Sequence, residues 1–116
     1  MDGRLPKSER LCGLAVVKGL MERGERSGAG CLRCRFQPNG LEFSRILVSV
    51  PKRSFKRAVR RNLLKRRIRE SYRLQKGLLP GGYDLVVIYI PREVLPYEAI
   101  FADMTSLLGR IAEEGQ

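Results

Sequence analysis

Residues 52–76 read KRSFKRAVRRNLLKRRIRESYRLQK, between the runs LEFSRILVSVP (41–51) and YDLVVIYI (83–90). The central run has no Pro or Gly, and apolar residues punctuate it at helical intervals. It predicts a helix from about Phe55 to Lys76, with Ser54 as N-cap and Gly77 as the C-terminal stop. The run before it reads as a strand, Leu41 to Val50, ended by Pro51. The run after it is apolar without strict alternation, which suits a central strand covered on its faces. Pro80-Gly81-Gly82 turns the chain into that strand and Pro91 closes it. A strand–helix–strand unit at the centre of the chain therefore sets an α+β fold.

The same helix dominates the electrostatics. Residues 52–76 hold twelve of the twenty-three Lys and Arg and a single acid, Glu70. The formal net charge of +11 is unevenly spread: +4 over residues 1–51, +11 over 52–76 and −4 over 77–116. Positive charge this dense on one stiff element repels itself, so folding alone gives little reason to build it. A polyanion is the natural partner, and the phosphate backbone of a nucleic acid is the commonest one. At roughly 100° per residue, Lys65, Arg69, Asn62, Arg73 and Arg66 fall in one arc of about 100°, with Arg61 at its edge. Leu64 and Ile68 lie to one side, and Val59, Leu63 and Leu74 to the other. The basic stripe runs about four turns, or roughly 20 Å. Asn62, inside the arc, is placed to bond a base, a sugar or a metal-bound water. A face built only for solubility mixes signs, with Glu four residues before Lys. Membrane-surface or calmodulin-like binding wants a broad apolar face with bulky aromatics, and this helix has Phe55 and Tyr72 only.

The remaining elements are set by their own periodicities. Residues 1–7 read as an irregular lead-in. Ser8 then caps a predicted first helix in which Leu11, Leu14, Val17, Leu20 and Met21 recur at helical spacing as far as Gly24. GERSGAG (24–30) reads as a loop. Cys31 to Phe36 reads as a strand with Arg33 and Arg35 on one face. Pro38-Asn39-Gly40 is a hairpin-type turn, which makes Leu41 to Val50 its partner strand. A last helix starts near Pro96 and carries Ile100, Met104, Leu107, Leu108 and Ile111 on one side. The predicted order is α-β-β-α-β-α: a two-layer α/β sandwich with a small mixed sheet. At 116 residues the chain is expected to be one domain over residues 1–116.

Composition narrows the chemistry. The three Cys (Cys12, Cys31, Cys34), odd in number and without a signal peptide, suggest reduced thiols and a cytoplasmic home. Cys31-x-x-Cys34 invites a zinc reading, but a structural site needs four ligands and the chain offers one further Cys and no His. In a strand, positions three apart also point to opposite faces. No metal site in the protein is expected. The absence of His removes the commonest general base. No apolar stretch approaches the ~20 residues that a spanning helix needs. Strand-end and terminal-helix acids such as Asp84, Glu93 and Asp103 read as solvated carboxylates.

The string VSVPKRSFKRAVRRNLLKRRIRESYR (48–73) resembles the signature of the bacterial ribonuclease P protein component. That family shows a strand ending in a Lys-Lys or Lys-Arg pair, a short turn, and a helix with an Arg-Asn-Arg core, then a Lys-Arg pair and a further Arg. Lys52-Arg53 looks like the post-strand pair and Arg61-Asn62 like the first two core positions. Lys65-Arg66 looks like the helical Lys-Arg pair, and Arg69-Glu70 supplies the further Arg. Leu63 stands at the third core position, where the family usually has Arg. SERLCGLAVVKGLMERGE looks like the family's first helix, GGYDLVVIYIPRE like the strand after the basic helix, and YEAIFADMTSLLGRI like the last helix.

The resemblance implies a parallel strand–helix–strand unit with the rare left-handed crossover. It implies an accessory subunit of an endoribonuclease: a protein that binds ribonuclease P RNA and, with it, removes the 5′ leader of precursor tRNA. The catalyst is then the RNA, which holds the magnesium ions, so no catalytic residue is expected in the chain. One protein per RNA and no membrane partner are expected. The RNA-binding residues would be Lys52, Arg53, Lys56, Arg57, Arg60, Arg61, Asn62, Lys65, Arg66, Arg69 and Arg73. A cleft between the sheet and the first helix would take the single-stranded leader. The family lines it with aromatic rings, on which any base can stack. Here the matching first-helix positions are Val17 and Met21. Phe36 is a candidate substitute ring, and Arg33 and Arg35 would steer phosphates; plain core packing is the alternative for Val17 and Met21 by their helical spacing, and for Phe36 as well. Two other classes compete. A non-catalytic RNA-binding module such as a ribosomal protein would leave precursor cleavage unchanged. A helix-turn-helix DNA regulator needs a second short helix just before the recognition helix, where this chain has Pro51 and a strand.

Overall fold

Residues 32–38 alternate as a strand with two different environments should: Leu32, Cys34 and Phe36 are buried, whereas Arg33, Arg35 and Gln37 reach towards solvent on the other side. The computed structural model describes residues 6–114, so most of the lead-in read over residues 1–7 lies outside the described residues. The elements are α1 (Leu14–Arg23), β1 (Glu25–Ala29), β2 (Leu32–Pro38), β3 (Arg45–Ser49), α2 (Ala58–Gln75), β4 (Tyr83–Tyr89) and α3 (Tyr97–Glu114). The strands lie in the order β1-β2-β4-β3. β1 and β4 each pair antiparallel with β2, and β3 pairs parallel with β4. The β3–α2–β4 segment is therefore the parallel crossover expected of the central strand–helix–strand unit.

The two faces of the sheet carry different loads. Alternate residues of β4 (Tyr83, Leu85, Val87, Tyr89) join Leu32, Cys34, Phe36, Ile46 and Val48 in the main core. Leu64, Ile68 and Tyr72 of α2 close over them, together with the α3 stripe Ile100, Met104, Leu107, Leu108 and Ile111. This is the two-layer sandwich. On the opposite face Val86 meets Leu11 and Leu20, with Val17, Leu47 and Ile88 packed around them. β4 is apolar on both faces because it is the strand that both layers share. One buried acid pins the register at its start. Asp84 lies in the row Gln37–Asp84–Arg45 across three strands. It accepts hydrogen bonds from Arg45 Nε at 2.8 Å, from Arg45 Nη2 at 2.7 Å and from Asn39 Nδ2 at 3.0 Å. Asp84 is thus a paired core group and not the solvated carboxylate expected.

Four other sequence expectations are corrected. First, 24–30 is not a loop: Glu25–Ala29 forms β1, and the order becomes α-β-β-β-α-β-α. Its Gly and Ser weaken the strand signal, but pairing with β2 along five residues supplies what propensity does not. Second, the first helix begins at Leu14, not at Ser8. Lys7–Glu9 is a 3-10 turn, and the Leu11 amide donates to the Ile46 carbonyl at 2.9 Å beside an Arg10–Ile46 bridge. Gly13, at φ 100, then turns the chain into α1. Third, β2 and β3 are not hairpin partners, because β4 is inserted between them. Fourth, α2 starts at Ala58, and Ser54 does not cap it. Ser54 and Phe55 fold back on the Pro51 carbonyl, and Phe55 is buried against Tyr89 with ring centroids 6.0 Å apart. Burying that ring delays the helix by three residues.

Cys31 also differs from the reading. It precedes β2, so it escapes the strand alternation and shares the main core with Cys34. Its amide donates to Asp103 Oδ2 at 2.9 Å. Both thiols are pushed up to about 12, Cys34 by burial and Cys31 by burial first and the Asp103 carboxylate second. Cys12 is exposed.

Candidate nucleic-acid interface

α2 has one apolar flank and one cationic flank, and the fold turns the second outward. Leu64, Ile68, Ser71, Tyr72 and Gln75 are its buried positions. Asn62, Arg66 and Arg69 are exposed, with Lys65 half-buried beside them. The arc expected from the helical wheel is therefore a real surface. Its cations are not equivalent. Arg73 is held bidentate by Glu70, with Nε–Oε2 at 3.1 Å and Nη2–Oε1 at 2.5 Å. The contact keeps the Glu70 carboxyl below its usual range. Arg61 turns back: its Nη1 donates to the Phe55 carbonyl at 2.6 Å and the Lys56 carbonyl at 3.0 Å. It fastens the turn before α2. Arg67, on the far side, donates to the Leu95 carbonyl at 2.6 Å. Lys65, Arg66 and Arg69 have no acidic partner among the described residues, where the ion pairs are Arg45–Asp84, Arg73–Glu70 and Lys76–Glu9.

A further cation joins this flank that the sequence reading missed. Desolvation first, and the charge of Arg10 second, lower the Arg69 guanidinium from its ordinary value. Arg10 reaches α2 because residues 10–11 run along the outer edge of β3. Nothing in a helical reading of residues 8–24 places it there. Before α2, Lys52, Arg53, Lys56 and Arg57 are all exposed, as is Arg60 in its first turn. The surface thus runs from the turn after β3 along the outer flank of α2.

The second cationic surface is the face of the sheet beside α1. Strand register puts side chains in rows: Gly28–Arg33–Ile88–Ser49 in one, and Arg26–Arg35–Val86–Leu47 in the next. α1 covers part of this face, with Leu20 fully buried, Val17 half-buried against the cluster of Leu11, Leu20 and Val86, and Met21 on its exposed margin. Arg33 stays exposed and Arg35 is half-buried, its Nη1 donating to the Gly24 carbonyl at 3.2 Å. Of the five residues expected in this cleft, Val17, Met21, Arg33 and Arg35 are brought to one face. Phe36 is not. It is 1% exposed, packs edge-on to Tyr83 at 6.0 Å, and points into the main core on the far side of the sheet. Phe36 is a core residue and cannot stack on a leader base.

Among the described residues no three His, Cys, Asp or Glu side chains converge as a metal site, and none of their helices is long and apolar enough to cross a membrane. What the two surfaces offer is many unneutralised guanidinium and ammonium groups on rigid elements, the equipment for gripping phosphates.

The sequence profile of the family described as Ribonuclease P matches residues 5–112. The chain belongs to the ribonuclease P protein family. A ribonuclease P protein component from Thermotoga petrophila is 45% identical over 83 residues, which is 66% of this chain and 68% of the relative. One from Petrotoga mobilis is 42% identical over 96 residues, covering 82% and 79%. The solved ribonuclease P protein of Thermotoga maritima superposes with a TM-score of 0.80 at 30% identity, over 89% of this chain and 97% of that one. The Staphylococcus aureus ribonuclease P protein gives 0.79 at 25% identity, over 92% and 97%. A ribonuclease P protein is a subunit of an endoribonuclease whose catalyst is RNA, so the chain's RNA partner is ribonuclease P RNA.

Proposed function

We propose that this ribonuclease P protein seats the catalytic RNA on the outer flank of α2 and the turn before it, and takes the 5′ leader of precursor tRNA on the open sheet face beside α1. Lys65, Arg66 and Arg69, with Arg10 behind them, form the centre of the RNA seat, and Asn62 supplies the one neutral hydrogen-bonding group within it. Lys52, Arg53, Lys56, Arg57 and Arg60 extend it around the start of the helix. Arg61 and Arg73 contribute less, because carbonyl oxygens engage the first and Glu70 the second. Arg33, Arg35, Val17 and Met21 bound the leader path.

The single observation that carries this reading is the cationic flank of α2, where Lys65, Arg66 and Arg69 stand together with no acidic partner among the described residues. Such crowding costs folding stability and is repaid when phosphates replace the missing counter-charges. The reaction is then endonucleolytic 5′ maturation of tRNA, carried out by the RNA. Magnesium ions held mainly by that RNA are part of the same proposal. One protein per RNA, working in the cytoplasm, completes the proposal.

Reconstitution tests it. A bacterial ribonuclease P RNA at low magnesium should cleave precursor tRNA at the mature 5′ end only when this chain is added. The chain alone should cut nothing. Unassisted cleavage by the protein, or no gain on adding it, would overturn the proposal.

A further inference from the structure

The open sheet face joins a cluster of arginines to an absence of rings. Arg26 lies directly opposite Arg35 across the β1–β2 pair, and Arg33 is two residues from Arg35 on the same face. Like charges placed directly across two strands destabilise a sheet, and no acid pairs with these three among the described residues. The backbone also makes room for them. A Cβ on Gly28 would meet the Leu32 carbonyl oxygen at 3.1 Å and the Arg33 side chain at 3.2 Å, so a side chain at position 28 would crowd Arg33 where it lies across β1. The Gly24 carbonyl holds one edge of the Arg35 guanidinium and leaves other N–H groups of that fork to face outward.

No flat side chain accompanies them. Phe36, Tyr83 and Tyr89 are buried in the main core on the other face. α1 reads LAVVKGLMER and has no aromatic residue. A base entering this path meets Val17, Met21 and Ile88, which offer contact area but no ring.

We infer that this chain grips single-stranded RNA on its open sheet face through phosphates alone, with Arg26, Arg33 and Arg35 as the gripping groups and without base stacking. The inference rests on the leader reading above and specifies how that site recognises its ligand: by charge, indifferent to base identity. Arg26 belongs to the site although its strand looks like a loop in the sequence. Successive same-face positions of β2 lie about 6.7 Å apart, a step that an extended strand's phosphates can follow.

The test uses the full chain assembled with ribonuclease P RNA. The affinity gain that a leader gives over leaderless tRNA is measured for a normal leader, one of abasic residues, and one with uncharged methylphosphonate linkages. The abasic leader should keep the gain within about twofold, and the uncharged leader should lose it. Arg26→Gln, Arg33→Gln and Arg35→Gln together should lower the log–log salt slope of the gain by about 2, at ~0.7 per single-strand phosphate contact, and leave binding to the catalytic RNA unchanged. A gain lost with the bases, whether to ring or guanidinium stacking, overturns the inference. So does an unchanged salt slope in a triple variant with a native circular-dichroism spectrum. Failure to assemble with the catalytic RNA at all would strike the proposed function instead. The same three chemistries as short free strands, titrated onto the chain alone, then decide the mode of grip.

Discussion

Replacing Lys65, Arg66 and Arg69 together by Gln removes three cations that leave α2 on one flank and have no acidic partner among the described residues. Each phosphate neutralised adds roughly 0.7 to 0.9 to the slope of log affinity against log salt, so three add about 2 to 2.7. Over a salt rise from about 50 to about 200 mM, wild type should therefore lose roughly 20- to 40-fold more affinity than the variant. Arg73→Gln is the internal control. Its guanidinium is already bound by Glu70 at 2.5 and 3.1 Å, so its removal should shift the slope by less than any of the other three alone. The assay is a titration of ribonuclease P RNA at a series of salt concentrations, with circular dichroism to verify the fold. A triple variant with the wild-type slope would refute the placement of the RNA on this flank. A slope change for Arg73→Gln as large as for Arg69→Gln would refute the distinction drawn between paired and unpaired cations.

Three further outcomes concern the core. Phe36→Ala should cost about 3–5 kcal/mol, the usual range for emptying a large aromatic site, seen as a lowered urea midpoint; a selective loss of leader binding with native stability would return Phe36 to the surface. Asp84→Ala leaves Arg45 without its bidentate partner at the start of β4 and should cost about 3 kcal/mol, whereas a loss under ~1 kcal/mol would mean that the ion pair does not pin the sheet. The buried thiols make the chain alkali-sensitive. A folded thiol held at about 12 keeps its proton where the unfolded one, near ~8.5, has lost it. Stability is whole below about pH 8.5 and falls towards pH 12 by at most ~1.4 kcal/mol per pH unit per thiol. Cys34→Ala should flatten the fall of the urea midpoint between about pH 8.5 and about pH 10.5; an unflattened curve would show that this thiol is not what titrates.

Much of the fold is legible because its elements are strongly periodic. The apolar run at 83–90 announces a strand covered on both faces, and the helices at 58–75 and 97–114 show their stripes. The misreadings share one cause: long-range pairing that overrides local signal. Residues 25–29 contain Ser27 and Gly28, which look like a loop until β2 offers five partners. Leu11 fits the spacing of the helix just after it, yet hydrogen bonding to β3 draws residues 10–11 into an extended path. Pro38-Asn39-Gly40 is a sound turn, but a local turn cannot reveal that a strand over forty residues away will enter between the two it joins. Phe55 obeys the helical period and is captured by the core before the helix begins.

The candidate site divides the same way, and one error in it was avoidable from the sequence. The cationic flank of α2 is readable because helical spacing alone sorts Lys65, Arg66 and Arg69 from Leu64 and Ile68. Which of its cations are free is not, since that depends on Glu70, on the Phe55 and Lys56 carbonyls and on Arg10. In a strand, however, neighbours face opposite ways. Arg33 and Arg35 are odd in the alternation and Phe36 is even, so the three could never line one cleft. Once Arg33 and Arg35 are placed on the open face, Phe36 must enter the layer under α2 and α3, and burial at 1% exposure is what that parity requires. The same parity applied across the β1–β2 register brings in Arg26, a residue that no local pattern marks. The β2 part of this face is rich in charge and poor in rings for one reason: the apolar half of that strand, Leu32, Cys34 and Phe36, is committed to the main core.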